Sequence, residues 1–335
     1  MSVTLKDIAE ATGVSIGTVD RALKRRGRIN PEVAERIRQK AEEMHYVPNR
    51  IASGLARKGR TCRIAVIYSI QPTTFWKCVS EGIQRAGEEI RCYGYTIAMY
   101  YGSSFDPQIQ LQLIEQALAE GANALVIVPV NAPIISARLR QLTDVPVVFL
   151  NSYLEDAACL TSIHCDYFRS GRIAAALLQK LSKDEGHALA FLPSSRMLGN
   201  SCRKEGIACG FREHPGMVLD EIVELSMDPE KDAALMRDAF HRNPLANHVI
   251  FNGDLSTYMA VIASQERQFH TIVYDMVSES HDALLAGQLE GIITQDQEEQ
   301  GYSAIRAVFQ YLSEDILPPR EKLMENRIVM KECID

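Results

Sequence analysis

The sequence predicts an α/β protein in two parts, a short all-α headpiece followed by a larger body of two parallel-sheet lobes. Three observations carry that prediction. Residues 5–44 hold three short amphipathic helical patterns. From Cys62 onward, continuous β-rich runs alternate with helical patterns at intervals of about thirty residues. Charge also changes sign between the parts: residues 1–60 carry 13 Lys and Arg against 7 Asp and Glu, a surplus of 6, on a chain of net charge −7, leaving −13 for the remainder.

In the headpiece the helical patterns cover 5–12, 15–23 and 31–44, and Val33, Ile37, Ala41 and Met44 share one face of the third. Ser15 stands where a side-chain oxygen caps the second helix, and Asn30 followed by Pro31 supplies a cap and a first helical position for the third. Gly13 offers the positive φ of a tight turn, Ala9 lets the first two helices approach, and Val19 packs into their angle. That is a helix-turn-helix. A basic front on an acidic body suits contact with a polyanion through displacement of counterions from phosphates, the other reading of the charge being a solvated basic face.

In the body, "RIAVIYS", "YTIAMYY", "ALVIVPV" and "VPVVFLNS" form one group of runs, and "ALAFLPS", "VIFNGD", "TIVYDM" and "GIITQD" a second. Apolar strands alternating with helices imply parallel sheets covered on both faces, so two groups mean two lobes. Ligands gather at the carboxyl ends of such strands. Those ends are polar or aromatic here, with "TTFWK", "NSY", "SSR", "NGD", "YDM" and "TQD". Carboxylates and amides can bridge neighbouring hydroxyls while aromatic faces cover the apolar side of a ring.

Several classes are absent from the pattern. There is no P-loop, no GxGxxG after a strand, no GxSxG, no HExxH and no zinc spacing, so neither an enzyme nor a metal or other cofactor is expected. The eight cysteines lack any CxxC and read as reduced thiols, mostly packed as small hydrophobes. No apolar run reaches membrane-spanning length and "MSVTLKDIAE" lacks the apolar core of a secretion signal, so the expected location is the cytoplasm.

The stretch "TLKDIAEATGVSIGTVDRAL…RINPEVAERIRQKAEEMHYVPNRIASGLA" resembles the headpiece of the LacI/GalR family of bacterial transcription regulators over about sixty residues, through "TLKDIA", "GVS", "TV.RAL" and "Y.PN.IA..L". The resemblance implies that the second helix enters the major groove with Ile16, Gly17 and Arg21 at base-reading positions and Ser15 and Thr18 on phosphates. Arg21 can pair bidentately with guanine and Ile16 can meet a thymine methyl, while Gly17 offers no side chain. The basic loop residues Lys24, Arg25, Arg26 and Arg28 would follow the DNA backbone. Residues 48–61 would form a hinge that folds on the operator, with Asn49 as its cap and Leu55 as a wedge between base steps. Asp20 departs from the serine usual there and would accept from a cytosine amino group or pair with Lys24.

Segment order from Cys62 to Asp335 resembles the type I periplasmic sugar-binding fold, which implies crossings between lobes near 162, 293 and 324. On that resemblance Phe75 and Trp76 stack on the ligand, and Asp275 and Gln295 occupy carboxylate and glutamine contact positions; strand-end caps or lobe-hinge hydrogen bonds are the other reading of the latter pair. Asn151 with Ser152 replaces the Asp-Arg common in relatives, which favours a different sugar or a polyol. Asn252 stands in beside Gly253, followed by Asp254; Asp166 matches an interlobe aspartate; Arg203 lies one helical turn before the expected arginine position, which Ile207 occupies. Together these imply a DNA-binding transcription regulator with a reader at 1–47, a hinge at 48–61 and an effector and dimerisation domain at 62–335. It would act as a homodimer on a pseudo-palindromic operator, controlled by a small sugar or polyol between the lobes. A free ligand receptor or an α/β enzyme acting on a sugar are the rival readings.

Overall fold

A computed structural model describes residues 3, 5–23, 29–44, 61–71, 73–182, 186–213, 216–265 and 267–334. The chain forms two compact units, residues 1–60 with 309–317 and residues 61–308 with 318–335. In the first, α1 (Leu5–Thr12), α2 (Ile16–Leu23) and α3 (Pro31–Glu43) enclose a small core of Ile8, Ala9, Val19, Ala22, Ala34, Ile37 and Ala41. Gly13 turns the chain between α1 and α2 at a φ of 69°, a conformation that costs a residue with a Cβ. Ser15 Oγ accepts from the Thr18 amide at 3.1 Å, and Asn30 Oδ1 accepts from the Glu32 amide at 2.9 Å ahead of Pro31. Both caps thus sit where local chemistry required them. Lys24, Arg25, Arg26, Arg28, Asn49 and Leu55 lie outside the described residues, as does most of the 48–61 segment.

The second unit is built on two six-stranded sheets. The first lobe holds β1 (Cys62–Tyr68), α4 (Thr74–Arg91), β2 (Tyr95–Tyr101), α5 (Pro107–Ala119), β3 (Ala124–Ile127), α6 (Pro133–Arg140), β4 (Val147–Leu150) and β5 (Thr161–Cys165). The chain then enters the second lobe with α7 (Tyr167–Leu181), β6 (Gly186–Leu192), α8 (Leu198–Glu213), β7 (Met217–Glu224), α9 (Pro229–Arg242), β8 (His248–Phe251), α10 (Leu255–Ala263), β9 (His270–Tyr274), α11 (Ser278–Leu285) and β10 (Gly291–Thr294). After α12 (Gln297–Glu314), β11 (Glu321–Met324) joins the first sheet and β12 (Arg327–Val329) the second.

Strand order is β11-β5-β4-β3-β1-β2 in one sheet and β12-β10-β9-β8-β6-β7 in the other, so the lobes repeat one topology. Every pairing is parallel except β10 with β12. The chain changes sheet after β5, after β10 and between β11 and β12. Their strands are apolar because helices cover both faces: β3, β4 and β8 are buried at every residue.

Four strands escaped the apolar-run criterion. β7, β11 and β12 are sheet edges, partly exposed and interrupted by charge, as in "MVLDEIVE", "EKLM" and "RIV". β5 is interior and wholly buried, yet its residues are "TSIHC". Its His164 is held by the Cys165 carbonyl at 2.8 Å and by Glu321 of the neighbouring β11 at 3.0 Å. The cysteines also correct the reading of their sequence: all eight are free, but only Cys165 is fully buried, and Cys92 and Cys333 are exposed.

At the end of lobe two away from the strand carboxyl termini, His248 is buried, stacks on His270 with centroids 5.1 Å apart, and has its pKa lowered by burial and by the neighbouring imidazole. A histidine whose folded pKa is depressed supplies stability above its unfolded pKa, about 6.5, and loses it as pH falls below that value. Lowering the pH from about 8 to about 5 is therefore expected to reduce the Tm of the native protein more than that of a His248→Phe variant; equal reductions in a thermal melt would refute this.

Candidate functional site

The carboxyl ends of the two sheets face a cleft of about 430 Å³. Eight of the nine residues expected on a ligand line it: Phe75, Trp76, Asn151, Arg203, Asn252, Asp254, Asp275 and Gln295. Asp166 does not. Its carboxylate caps α7, accepting from the Arg169 amide at 2.9 Å, and the residue is exposed. Asp254 serves a similar local end while still bordering the cleft, since it accepts from the Thr257 amide at 3.1 Å and from that residue's hydroxyl.

Each wall is set by a strand-end feature. Phe75 and Trp76 occupy the first turn of α4; Trp76 is only 6% exposed, packed on Tyr68 with centroids 4.9 Å apart and edge-on to Phe75 at 4.8 Å. Asn151 after β4 and Asp275 after β9 both adopt left-handed backbone, with φ of 57° and 73°. Such conformations are tolerated by Asn and Asp and turn the side chain inward from the strand. The Asp275 turn is held by Ser280, whose hydroxyl donates to the Asp275 carbonyl at 2.8 Å.

Beneath the cleft lies a buried polar cluster. Gln295 Nε2 donates to Asp275 Oδ1 at 2.7 Å, and Gln295 Oε1 accepts from Asn151 and Tyr167 at 3.4 Å each and from the Cys165 thiol at 3.3 Å. The Tyr167 hydroxyl also donates to the Asn151 carbonyl. Arg203, buried on α8, stacks its guanidinium 4.9 Å from the Tyr167 ring centroid and 4.0 Å from that of Tyr274. Among the described residues its Nε has no hydrogen-bond partner.

Burial raises the pKa of Asp275, offset by the Arg203 charge and the Gln295 hydrogen bond. Burial opposes the Arg203 charge in turn, but Tyr274, Cys165, Asp275 and Tyr167 around it outweigh burial and raise its pKa. Burial also pushes the Cys165 thiol up to about 12, so this cysteine is a neutral packing group. The floor of the cleft thus combines a guanidinium donor, a carboxylate acceptor and aromatic faces. Tyr167 and Tyr274 were not singled out from the sequence, although both stand at strand ends, in "CDYF" and "VYDM".

The lobes touch at the lips of the cleft. The Asn131 amide donates to the Arg196 carbonyl at 2.8 Å, Arg196 Nη1 donates to the Phe105 carbonyl at 3.2 Å, and Thr74 Oγ1 donates to Glu279 at 3.1 Å. Among the described residues no group of three His, Cys, Asp or Glu is placed to hold a metal ion. Nor is any helix there long and apolar enough to cross a membrane.

In the front unit, α2 buries Val19 and Ala22 and leaves Ser15, Ile16, Gly17 and Arg21 exposed, with Thr18 half-buried. Ile16 is 49% exposed, unusual for so apolar a residue in a unit with few to spare. Arg21 Nε donates to the Gly17 carbonyl at 3.0 Å, which steers the guanidinium along the helix and leaves four of its five N–H donors uncommitted by that bond. The partner expected for Asp20, Lys24, is outside the described residues.

Residues 4–49 match the family model of bacterial regulatory proteins of the lacI family, and residues 64–315 match that of the periplasmic binding protein domain. The chain belongs to the periplasmic-binding-protein domain family over most of its length and carries a lacI-family DNA-binding domain ahead of it. It is a DNA-binding transcription regulator whose body is a periplasmic-binding-protein domain. The maltose regulon regulatory protein MalI of Escherichia coli K12 is 25% identical over 255 residues, 74% of this chain and 71% of that protein. Catabolite control protein A of Priestia megaterium is 26% identical over 167 residues, 50% of this chain and 48% of the relative, so only about half of its length is spanned. Among solved structures, a LacI transcriptional regulator described as putative from Bacteroides fragilis superposes with a TM-score of 0.73 at 19% identity, covering 82% of this chain and 98% of that one. A solute-binding protein from Agrobacterium vitis, bound with α-D-tagatopyranose, gives 0.73 at 20% identity over 81% and 95%.

The regulator's cleft depends on how closely α7 and α8 approach. A Cβ on Gly171 would overlap the Arg203 carbonyl and come within 2.7 Å of the Ile207 amide, backbone atoms of a well-packed helix. Gly171→Ala is expected to lower stability by about 1–3 kcal/mol, measured by urea denaturation; an unchanged midpoint would contradict the contact.

Proposed function

We propose that this LacI-family regulator is a cytoplasmic homodimer that binds a pseudo-palindromic operator, its affinity being set by a neutral sugar or polyol held between the two lobes. Residues 1–47 are the DNA reader, 48–61 the hinge and 62–335 the effector and dimerisation domain. The observation that carries the effector reading is the cleft floor, where the Arg203 guanidinium and the Asp275 carboxylate lie among aromatic faces. A donor and an acceptor of opposite charge suit vicinal hydroxyls, which can accept from one and donate to the other. Phe75 and Trp76 supply an apolar wall for the ring. Solved relatives of this fold carry D-arabinose, D-allose or tagatopyranose in their own sites, which supports the same ligand class.

On DNA, α2 lies in the major groove. Arg21 pairs with guanine O6 and N7, exposed Ile16 meets a thymine methyl, Gly17 permits close approach, and Ser15 and Thr18 reach phosphates. Lys24, Arg25, Arg26 and Arg28 follow the backbone, and Asn49 and Leu55 act in the hinge. Sugar stabilises the closed lobes and the operator selects a dimer arrangement, so each biases the other's binding. A coupling of about 1–3 kcal/mol corresponds to roughly 5–150-fold in operator affinity.

Thermal shift with pentoses, hexoses and polyols tests the effector, because a ligand bound only by the native state raises Tm. Trp76 is the protein's single tryptophan, so a sugar that raises Tm is expected to change its emission as well. A confirmed binder that leaves emission untouched removes Trp76 from the contact. Fluorescence anisotropy on operator variants tests the reader: Arg21→Ala is expected to cost about 1–3 kcal/mol at one base position only. An equal loss on all duplexes, or no preference of the intact protein for any palindromic site, would overturn the assignment.

A further inference from the structure

Gln300 has no role in either the ligand contacts or the DNA reader, yet it is completely buried and lies where the two halves of the cleft meet. It sits on the first turns of α12, the helix that follows the second passage of the chain between sheets. Its Nε2 donates to the Gln295 carbonyl at 3.0 Å and lies 3.4 Å from Gln295 Oε1. Its Oε1 accepts from Asn151 Nδ2 at 3.0 Å. One amide therefore holds Asn151, which ends β4 of the first lobe, and Gln295, which ends β10 of the second.

The helix that carries it is anchored to the first lobe. Gly82 of α4 and Gly301 of α12 meet backbone to backbone, so that a Cβ on either would overlap a carbonyl of the other helix. Arg85 of α4 pairs with Glu298, and Tyr302 donates to Glu89 at 3.0 Å. Gln300 is thus a fixed point from which a single side chain reaches both strand ends. Both partners need that support. Asn151 holds a left-handed backbone, and Gln295 spends its own amide on Asp275.

We propose that Gln300 is a positioning residue that sets the closure of the cleft, fixing Asn151 of one lobe against Gln295 of the other without touching the effector. The proposal rests on the cleft being the effector site but not on which sugar fills it. Loss of the amide would remove one of the links between the two strand ends, shifting the lobes toward the open arrangement and widening solvent access to the cleft that Trp76 lines.

The test uses the full-length protein without sugar and reads acrylamide quenching of Trp76, with urea denaturation alongside. Gln300→Met keeps the shape and removes both hydrogen bonds; it is expected to raise the quenching constant about twofold while the protein still unfolds cooperatively. Asn151→Gly cuts the same link from the other end and accepts a positive φ; it is expected to raise quenching similarly, and the double variant no further than the larger single change. Quenching unchanged in Gln300→Met, or effects that simply add in the double variant, would overturn the proposal. If Gln300→Met does not fold, Asn151→Gly alone decides, a rise supporting the link and native quenching refuting it. Because no sugar is present, either outcome leaves the effector reading to be judged by the thermal-shift screen.

Discussion

The cleft depends on one buried amide. Gln295 donates to Asp275 on its own lobe and accepts from Asn151 on the other, at the point where the chain passes between sheets. Leaving such groups unpaired in the interior would cost about 1–3 kcal/mol each, so the two strand ends are held in register as long as the lobes remain in this arrangement. Burial raises the Asp275 pKa, while the Arg203 charge and the Gln295 hydrogen bond act in the opposite direction and favour the carboxylate. The same cluster therefore supplies geometry and electrostatics together.

Helix packing makes that cluster rigid. Two helix pairs cross at glycines, α4 on α12 through Gly82 and Gly301, and α7 on α8 through Gly171 and Gly206, each with backbone against backbone. Three of the helices carry a cleft element, Phe75 and Trp76 on α4, Tyr167 at the start of α7 and Arg203 on α8, and α12 follows closely on Gln295. With backbone so close to backbone at the crossing, a shift of either helix forfeits close-packed contact. The movements that leave these crossings intact are those of whole lobes.

Charge is divided to match. The surplus of positive charge is confined to residues 1–60, while the remainder carries −13. Net charge therefore favours approach of a polyanionic duplex to residues 1–60 over the acidic remainder. Inside the cleft, opposite charges instead act on one another, the Asp275 carboxylate favouring the Arg203 guanidinium and Arg203 favouring the carboxylate.

By itself the sequence determined what is local. Helix starts follow from Ser15, Asn30 and Pro31, the α1–α2 turn from Gly13, and eight strands from apolar runs, because capping, positive φ and periodicity act over a few residues. Strand ends were legible as cleft lining for the same reason: Asn151, Asn252, Asp275 and Gln295 are polar groups that follow directly on buried runs. Only the tertiary structure decided how those groups are used. It stacked Arg203 on Tyr167 and Tyr274, buried the polar strand β5 beside Glu321, and brought Gln300 against Asn151 across 149 residues of chain. Each of these is a long-range contact, and a buried polar side chain has no signature in its own neighbours because its partner lies on another strand or helix.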